Sequence, residues 1–115
     1  MEIEKIAEVA HECTRLYCEA IGDTSRPPWN VADDQQKKIA IEGVKYLKNH
    51  HNAPPGFQHA QLLKIYEEDK WKHGAVLDVE KKISPYMVPF ADLPDNVRMA
   101  EALFAKMVNV LTCGV

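Results

Sequence analysis

The sequence predicts a mainly α protein: about four helices around one core, laced by proline-rich connections, with at most a small β element. Three observations lead there. Apolar residues recur at the three-four spacing of a single helix face in four separate segments. The runs between those segments hold most of the prolines and glycines, and only Gly74 to Pro89 has neither a helical period nor a clear break. At 115 residues the chain reads as a single domain, residues 1–115, long enough to bury a core without metal or disulfide support.

The first helix is predicted from Glu2 to Ile21, with Ile3, Ile6, Ala10, Cys13, Tyr17 and Ala20 as its apolar stripe and Gly22 as its stop. GDTSRPPWN follows as a loop, with Asn30 placed to cap a second helix from about Val31 to Asn49. The stripe of that helix is Ala32, Ile39, Gly43 and Leu47, with Tyr46 beside it. A mid-helix glycine costs about 1 kcal/mol relative to alanine, so Gly43 implies close approach by a neighbour. After the break HHNAPPGF, the residues His59, Leu62, Leu63 and Tyr66 line a third helix. It is expected to stop near Trp71, with Lys72, His73 and Gly74 as a cationic last turn and glycine cap. Gly74 to Pro89 leaves room for a short hairpin or an extended arm. Asp92, Pro94 and Asp95 then start a fourth helix whose stripe is Val97, Ala100, Phe104, Met107, Val108 and Leu111.

Ahead of that helix runs KISPYMVPFADLP, Lys82 to Pro94, with three prolines threaded by apolar residues. Proline fixes φ and removes a donor, so this strap suits neither helix interior nor central strand. It is expected to lie extended over a groove between the helices with Met87 and Val88 turned inward.

Charge and composition exclude several classes. Fourteen basic against 17 acidic residues give a formal charge of -3, which offers no general attraction for a polyanion, so nucleic acid is not an expected partner. No apolar run approaches the roughly 20 residues that span a bilayer, and MEIEKIAEVAHE is acidic where a signal peptide would be basic; neither a membrane nor export is expected, and a cytoplasmic location follows. Cys13, Cys18 and Cys113 are odd in number and read as reduced thiols, with Cys13 a small core residue. The five histidines show no HExxH and no zinc-finger partner spacing, so no metal is expected. Nucleophile-elbow, P-loop and dinucleotide fingerprints are missing too, and the chain is read as a non-enzyme without a cofactor.

A few polar and aromatic residues remain open to two readings. His11 and Arg15 share a helix face at i, i+4, either as a solvated face with Glu8 or Glu12 pairing to Arg15, or as ligand contacts. Trp29 and Trp71 each flank a break, as core plugs or as stacking surfaces. Lys81 and Lys82 precede the strap, as plain surface lysines or as an anion contact.

Taken in order, these residues resemble the RyR domain, the ryanodine receptor repeat, in its short stand-alone form from bacteria and phages. The resemblance runs through His11, Glu12, Arg15 and Tyr17, then Pro28 and Trp29, then Ala40, Ile41, Gly43 and Val44. It continues through Trp71, Gly74, Asp78, Glu80 and Lys81, the P-x-M-V-P-aromatic run from Pro85 to Phe90, and Leu93 with Pro94. It covers nearly the whole chain. Departures fall at Lys70, where the family usually has glycine, at His73 in place of an aromatic, at Phe90 in place of tyrosine and at Ser84 in place of histidine.

The resemblance implies a cytosolic, non-enzymatic module that binds a small nucleotide-like signal. His11, Arg15, Trp29, His59, Trp71 and Lys82 would then be its ligand contacts, the tryptophans for a base and the cations for phosphate. The alternative is a protein-protein interaction module without a small ligand. Because the repeats occur in pairs in the animal receptor, a two-fold homodimer is a further expectation.

Overall fold

The computed structural model describes residues 1–54 and 56–112. In chain order it contains α1 (Ile3–Ala20), a 3-10 turn at Trp29–Val31, α2 (Asp34–Asn49), α3 (Phe57–Glu68), β1 (Lys72–His73), β2 (Ile83–Ser84), a second 3-10 turn at Phe90–Asp92 and α4 (Asp95–Thr112). The mainly α architecture of four helices with a small β element is the one the sequence predicts. The β element is a two-residue parallel pair, Lys72 opposite Ile83 and His73 opposite Ser84. A hairpin would make that pair antiparallel. Instead the chain circles through residues 74–82 and returns in the same direction, with Asp78 adding an antiparallel bridge to Ile83.

The helix α1 lies against both α4 and α2 around a core of Ile6, Ala7, Ala10, Trp29, Ala40, Val44, Leu47, Phe104 and Val108. Small residues at Ala7, Ala10 and Ala40 let the helix axes approach, and the larger Phe104 and Leu47 fill the space between them. The buried face of α1 is Ile6, Ala7, Ala10, Thr14 and Cys18, rotated from the predicted stripe. Thr14 can occupy a buried slot because its hydroxyl donates to the Ala10 carbonyl at 2.8 Å. As a result Cys18, not Cys13, is the buried cysteine. Both are free thiols, while Cys113 lies outside the described residues.

Helix ends correct three boundaries. α2 is capped by Asp33, not Asn30: the Gln36 amide donates to Asp33 Oδ1 at 2.7 Å and the Asp33 amide donates back to Gln36 Oε1 at 3.1 Å. That reciprocal pair satisfies two amide donors at the start of the helix, and Asn30 is left in the 3-10 turn. α3 ends at Glu68, short of Trp71, in a Schellman closure. The Trp71 amide donates to the Tyr66 carbonyl at 2.9 Å and the Lys70 amide to the Glu67 carbonyl at 3.0 Å. The residue that turns the chain is Lys70 at φ 65°, in the left-handed region that glycine favours. Gly74 serves a different purpose, because a Cβ there would collide with the Ile83 side chain across the β pair. At the other end of the strap, the Pro94 carbonyl accepts from Val97 and Arg98, so Pro94 and not Asp92 holds the cap position of α4.

The strap from Lys82 to Pro94 crosses α3 toward the start of α4. Met87 and Val88 are half-buried; the side chain it buries fully is Leu93. The Phe90 ring lies so close to Gly56 that a Cβ there would come within 2.8 Å, and Gly56 itself sits at φ 91°.

Two substitutions test this packing by urea denaturation. Phe104→Ala should cost about 3–5 kcal/mol through the cavity it leaves, and a loss below about 1 kcal/mol would mean that the α4 face is assigned wrongly. Lys70→Gly should stabilise by about 1 kcal/mol, since an exposed side chain is given up and a left-handed strain is relieved. A destabilised variant would show that Lys70 is not the turning residue.

Candidate functional site

The six residues singled out from sequence fall into three clusters. The first is built on Asp69, the residue that closes α3. Because Lys70 turns left-handed just after it, the chain that follows doubles back past Asp69, which gathers three donors. Lys82 Nζ reaches Asp69 Oδ1 at 2.9 Å and its backbone carbonyl at 3.2 Å. Gln35 Nε2 and Trp71 Nε1 both donate to Asp69 Oδ2, at 3.2 and 3.3 Å. The hydrogen bond from Lys82 is the main reason the Asp69 carboxyl sits below its ordinary range, with Gln35 and Trp71 adding to it.

Lys82 itself is at φ 56°, so two non-glycine residues in the left-handed region, Lys70 and Lys82, bracket this face. That geometry sends the Lys82 carbonyl to the Lys72 amide and its ammonium to Asp69. The Trp71 indole is half-buried and tilted against the Tyr66 ring at 4.9 Å between centroids. Burial, with Asp33 and Asp69 nearby, raises the Tyr66 pKa. An indole, an ammonium and a carboxylate thus meet at one partly open face.

The second cluster holds His11, Trp29 and Arg15. Trp29 is a core residue, with His11 edge-on to it at 5.5 Å and Lys37 Nζ 5.7 Å above its ring. His11 Nε2 donates to the Pro27 carbonyl at 2.7 Å, which anchors the proline loop to α1. Arg15 is committed to two carboxylates, Glu12 at 2.6 Å and Glu19 at 3.4 Å. The pairing to Glu12 is the solvated-face alternative, here with a second acid added.

His59, the third, is 1% exposed and faces two acceptors: Glu101 Oε1 at 3.0 Å from Nδ1 and the Val88 carbonyl at 2.7 Å from Nε2. A neutral imidazole carries a single N–H, so the geometry is that of an imidazolium donating at both ends, once to a carboxylate. Burial alone would lower its pKa. The hydrogen bond and charge of Glu101, together with the Val88 and Tyr86 carbonyls, outweigh that and raise it.

The structure therefore brings Trp71 to Lys82 and His11 to Trp29, with Arg15 one helical turn beyond His11, and sets His59 in a separate internal bond. Asp69, Gln35 and Glu101 were not singled out from sequence. Glu101 did carry a signal: it lies in register with Val97, Phe104 and Val108, where a charge has no reason to be unless it has a partner. Asp69 carried none, because its role depends on where α3 stops. Among the described residues no group of three or more His, Cys, Asp or Glu side chains is arranged to hold a metal ion, and no helix is long and apolar enough to cross a membrane. Comparison with protein-family models, with curated proteins and with solved structures finds no match to this chain.

The raised pKa of His59 makes stability depend on pH with a definite sign. The contribution of the pair is fully present below the unfolded imidazole pKa of about 6.5 and is lost as pH rises through the higher folded value. Unfolding free energy measured across that window should fall with rising pH, and His59→Gln should flatten the dependence. A stability that climbs over the same window would sink the imidazolium assignment.

Proposed function

We propose that the chain is a non-enzymatic small-ligand-binding module of the RyR-domain kind, and that it takes a nucleotide-like signal at the face where Trp71, Lys82 and Asp69 meet. The observation that carries this is the pairing of a partly open indole with an ammonium held in place by left-handed backbone. Strained non-glycine residues persist where the surrounding structure over-determines them, and they concentrate at binding sites. Trp71 offers a stacking face, and Lys82 offers a cation once a phosphate replaces the Asp69 carboxylate. The left-handed Lys70 adds support to the resemblance, since it stands where that family usually has glycine. Binding rather than turnover is favoured because the polar groups of this face are engaged in holding one another.

A specific surface favours the second reading, an interaction module. Val76, Leu77 and Val79, in the loop between β1 and β2, are 77%, 55% and 61% exposed. Three apolar side chains so close together form a patch of the kind that partner proteins cover, a second copy of this chain included.

A thermal-shift and tryptophan-fluorescence screen against adenine nucleotides, ADP-ribose derivatives and cyclic nucleotides separates the two. A binder at 100 times its dissociation constant stabilises by about 2.7 kcal/mol, and stacking contributes about 1–3 kcal/mol per base. A true ligand should lose affinity in Trp71→Ala and gain it in Asp69→Asn, where Lys82 is released. If none of these compounds moves the melting temperature, the nucleotide reading fails. If sedimentation at tens of micromolar then shows a dimer that Val76→Glu and Val79→Glu dissolve, the patch is the working surface.

A further inference from the structure

The strap is fastened to the rest of the fold at both ends. Gly74 donates to the Ser84 carbonyl at 3.3 Å across the β pair, and Leu93, just ahead of α4, is 3% exposed. Between these points run Pro85 to Asp92. Among the described residues, the backbone hydrogen bonds of this stretch are local: Tyr86 donates to the Ser84 hydroxyl, Met87 to the Ser84 carbonyl and Asp92 to the Pro89 carbonyl, while the Phe90 carbonyl accepts from Leu93. The long-range bond that ties it down runs from His59 Nε2 to the Val88 carbonyl at 2.7 Å. Apolar anchorage is slight, because Met87, Val88 and Phe90 are half-buried and Tyr86, Pro89, Ala91 and Asp92 are exposed. Pro85 and Pro89 each fix φ, so the stretch bends in few ways and moves as a piece.

The link through His59 has two states. As an imidazolium the ring donates from both nitrogens, to Glu101 Oε1 at 3.0 Å and to Val88. As a neutral ring it keeps one N–H and must give up one acceptor. A hydrogen bond to an ionised acceptor is roughly twice as strong as one to a neutral carbonyl, so the proton stays on Nδ1 against Glu101. Nε2 then turns a lone pair toward a carbonyl oxygen 2.7 Å away, and two acceptors at that distance repel. The other groups that face the ring do not compete. Glu101 from α4 is the charged one among the described residues; the strap supplies the Val88 and Tyr86 carbonyls and the Phe90 ring, 6.4 Å away between centroids, and neither α1 nor α2 brings a charge to it.

We propose that residues 85–92 are a flap latched by His59, and that loss of the imidazolium proton to solvent releases the flap at Val88 while the ring stays on Glu101. Water then replaces His59 at the Val88 carbonyl, and the covered sides of Met87, Val88 and Phe90 become accessible. The flap is closed below the titration of His59 and open above it. Glu101 and the strap carbonyls hold the proton on the ring, so that titration lies above the ordinary imidazole range. The β pair and Leu93 limit the movement, which leaves Lys82 and α4 in place. The flap and its latch share no residue with the Asp69 face, so they stand independently of the nucleotide reading.

Nuclear magnetic resonance of the isotopically labelled full chain, titrated from about pH 6 to about pH 9, reads both halves of the event. Imidazole nitrogen shifts should show His59 losing its proton from Nε2 and keeping the one on Nδ1. The methyl signals of Met87 and Val88 and the ring signals of Phe90 should move with the same midpoint and sharpen as the flap gains motion. Those of Ala7, Val44 and Val108 in the core should hold their positions. In His59→Gln, whose side chain does not titrate, the Met87 and Val88 signals should keep one position throughout. Flap signals that stay fixed while His59 titrates would overturn the proposal, as would a proton retained on Nε2 or a ring that keeps one charge state across the window. Core signals moving in step with the flap would overturn it too, since the event would then be unfolding of the whole chain.

Discussion

The strap, α3 and α4 are held together by one side chain. His59 is the only fully buried residue of α3, and its ring joins Glu101 on α4 to the Val88 carbonyl in the strap. The rest of α3 contributes half-buried residues, too little apolar area to fix the helix by itself. An imidazolium in this position is costly to desolvate, and it is tolerated because both N–H groups are met. Removing either partner would leave a buried charge or an unpaired donor. That asymmetry gives the bond its structural importance: it specifies how the strap is seated, where apolar contacts at Met87 and Val88 would accept several arrangements.

The same bond shapes its surroundings. By taking Oε1 of Glu101 it leaves Oε2 buried with no hydrogen-bond partner among the described residues. The strap it seats carries Phe90 over Gly56, closing the turn into α3. At the opposite end of α3 the left-handed Lys70 turns the chain back toward the β pair, beside Asp69, on which Gln35 from α2 and Lys82 from the loop converge. One end of α3 is therefore set by sterics around a glycine and the other by a strained lysine.

Much of this was legible in the residues. The four helices follow from apolar spacing, and the α4 stripe from Val97 to Leu111 held because nothing polar competes for its face except Glu101. The apolar stripe places the face of α1 one step off, since it counts apolar residues and carries no sign that Thr14 satisfies its own hydroxyl on the preceding turn. Propensity misplaces the end of α3 because it assigns a left-handed cap to glycine, and the chain uses Lys70 instead. Long-range pairs were beyond reach: His59 and Glu101 lie 42 positions apart, and Gln35 and Asp69 34, so no local pattern joins them. The six candidate residues separate into three groups, with Trp29 in the core and His59 fully buried, and sequence order carries no sign of that division.

That separation bears on which cation a phosphate could recruit. Arg15 is 18% exposed in its side chain and held by two carboxylates, one of them in a bidentate grip from Glu12. To release it, a ligand must displace two acids and accept their repulsion. Lys82 is 44% exposed and answers to one carboxylate, Asp69, which keeps Gln35 and Trp71 as donors after the exchange. Exposed ion pairs of this kind are worth little, so the exchange costs little. The backbone at Lys82 is already fixed by the β pair, so a phosphate arriving there would have only the lysine side chain to order. Of the two cations marked out by sequence, the one on the Trp71 side is thus the one the fold leaves available.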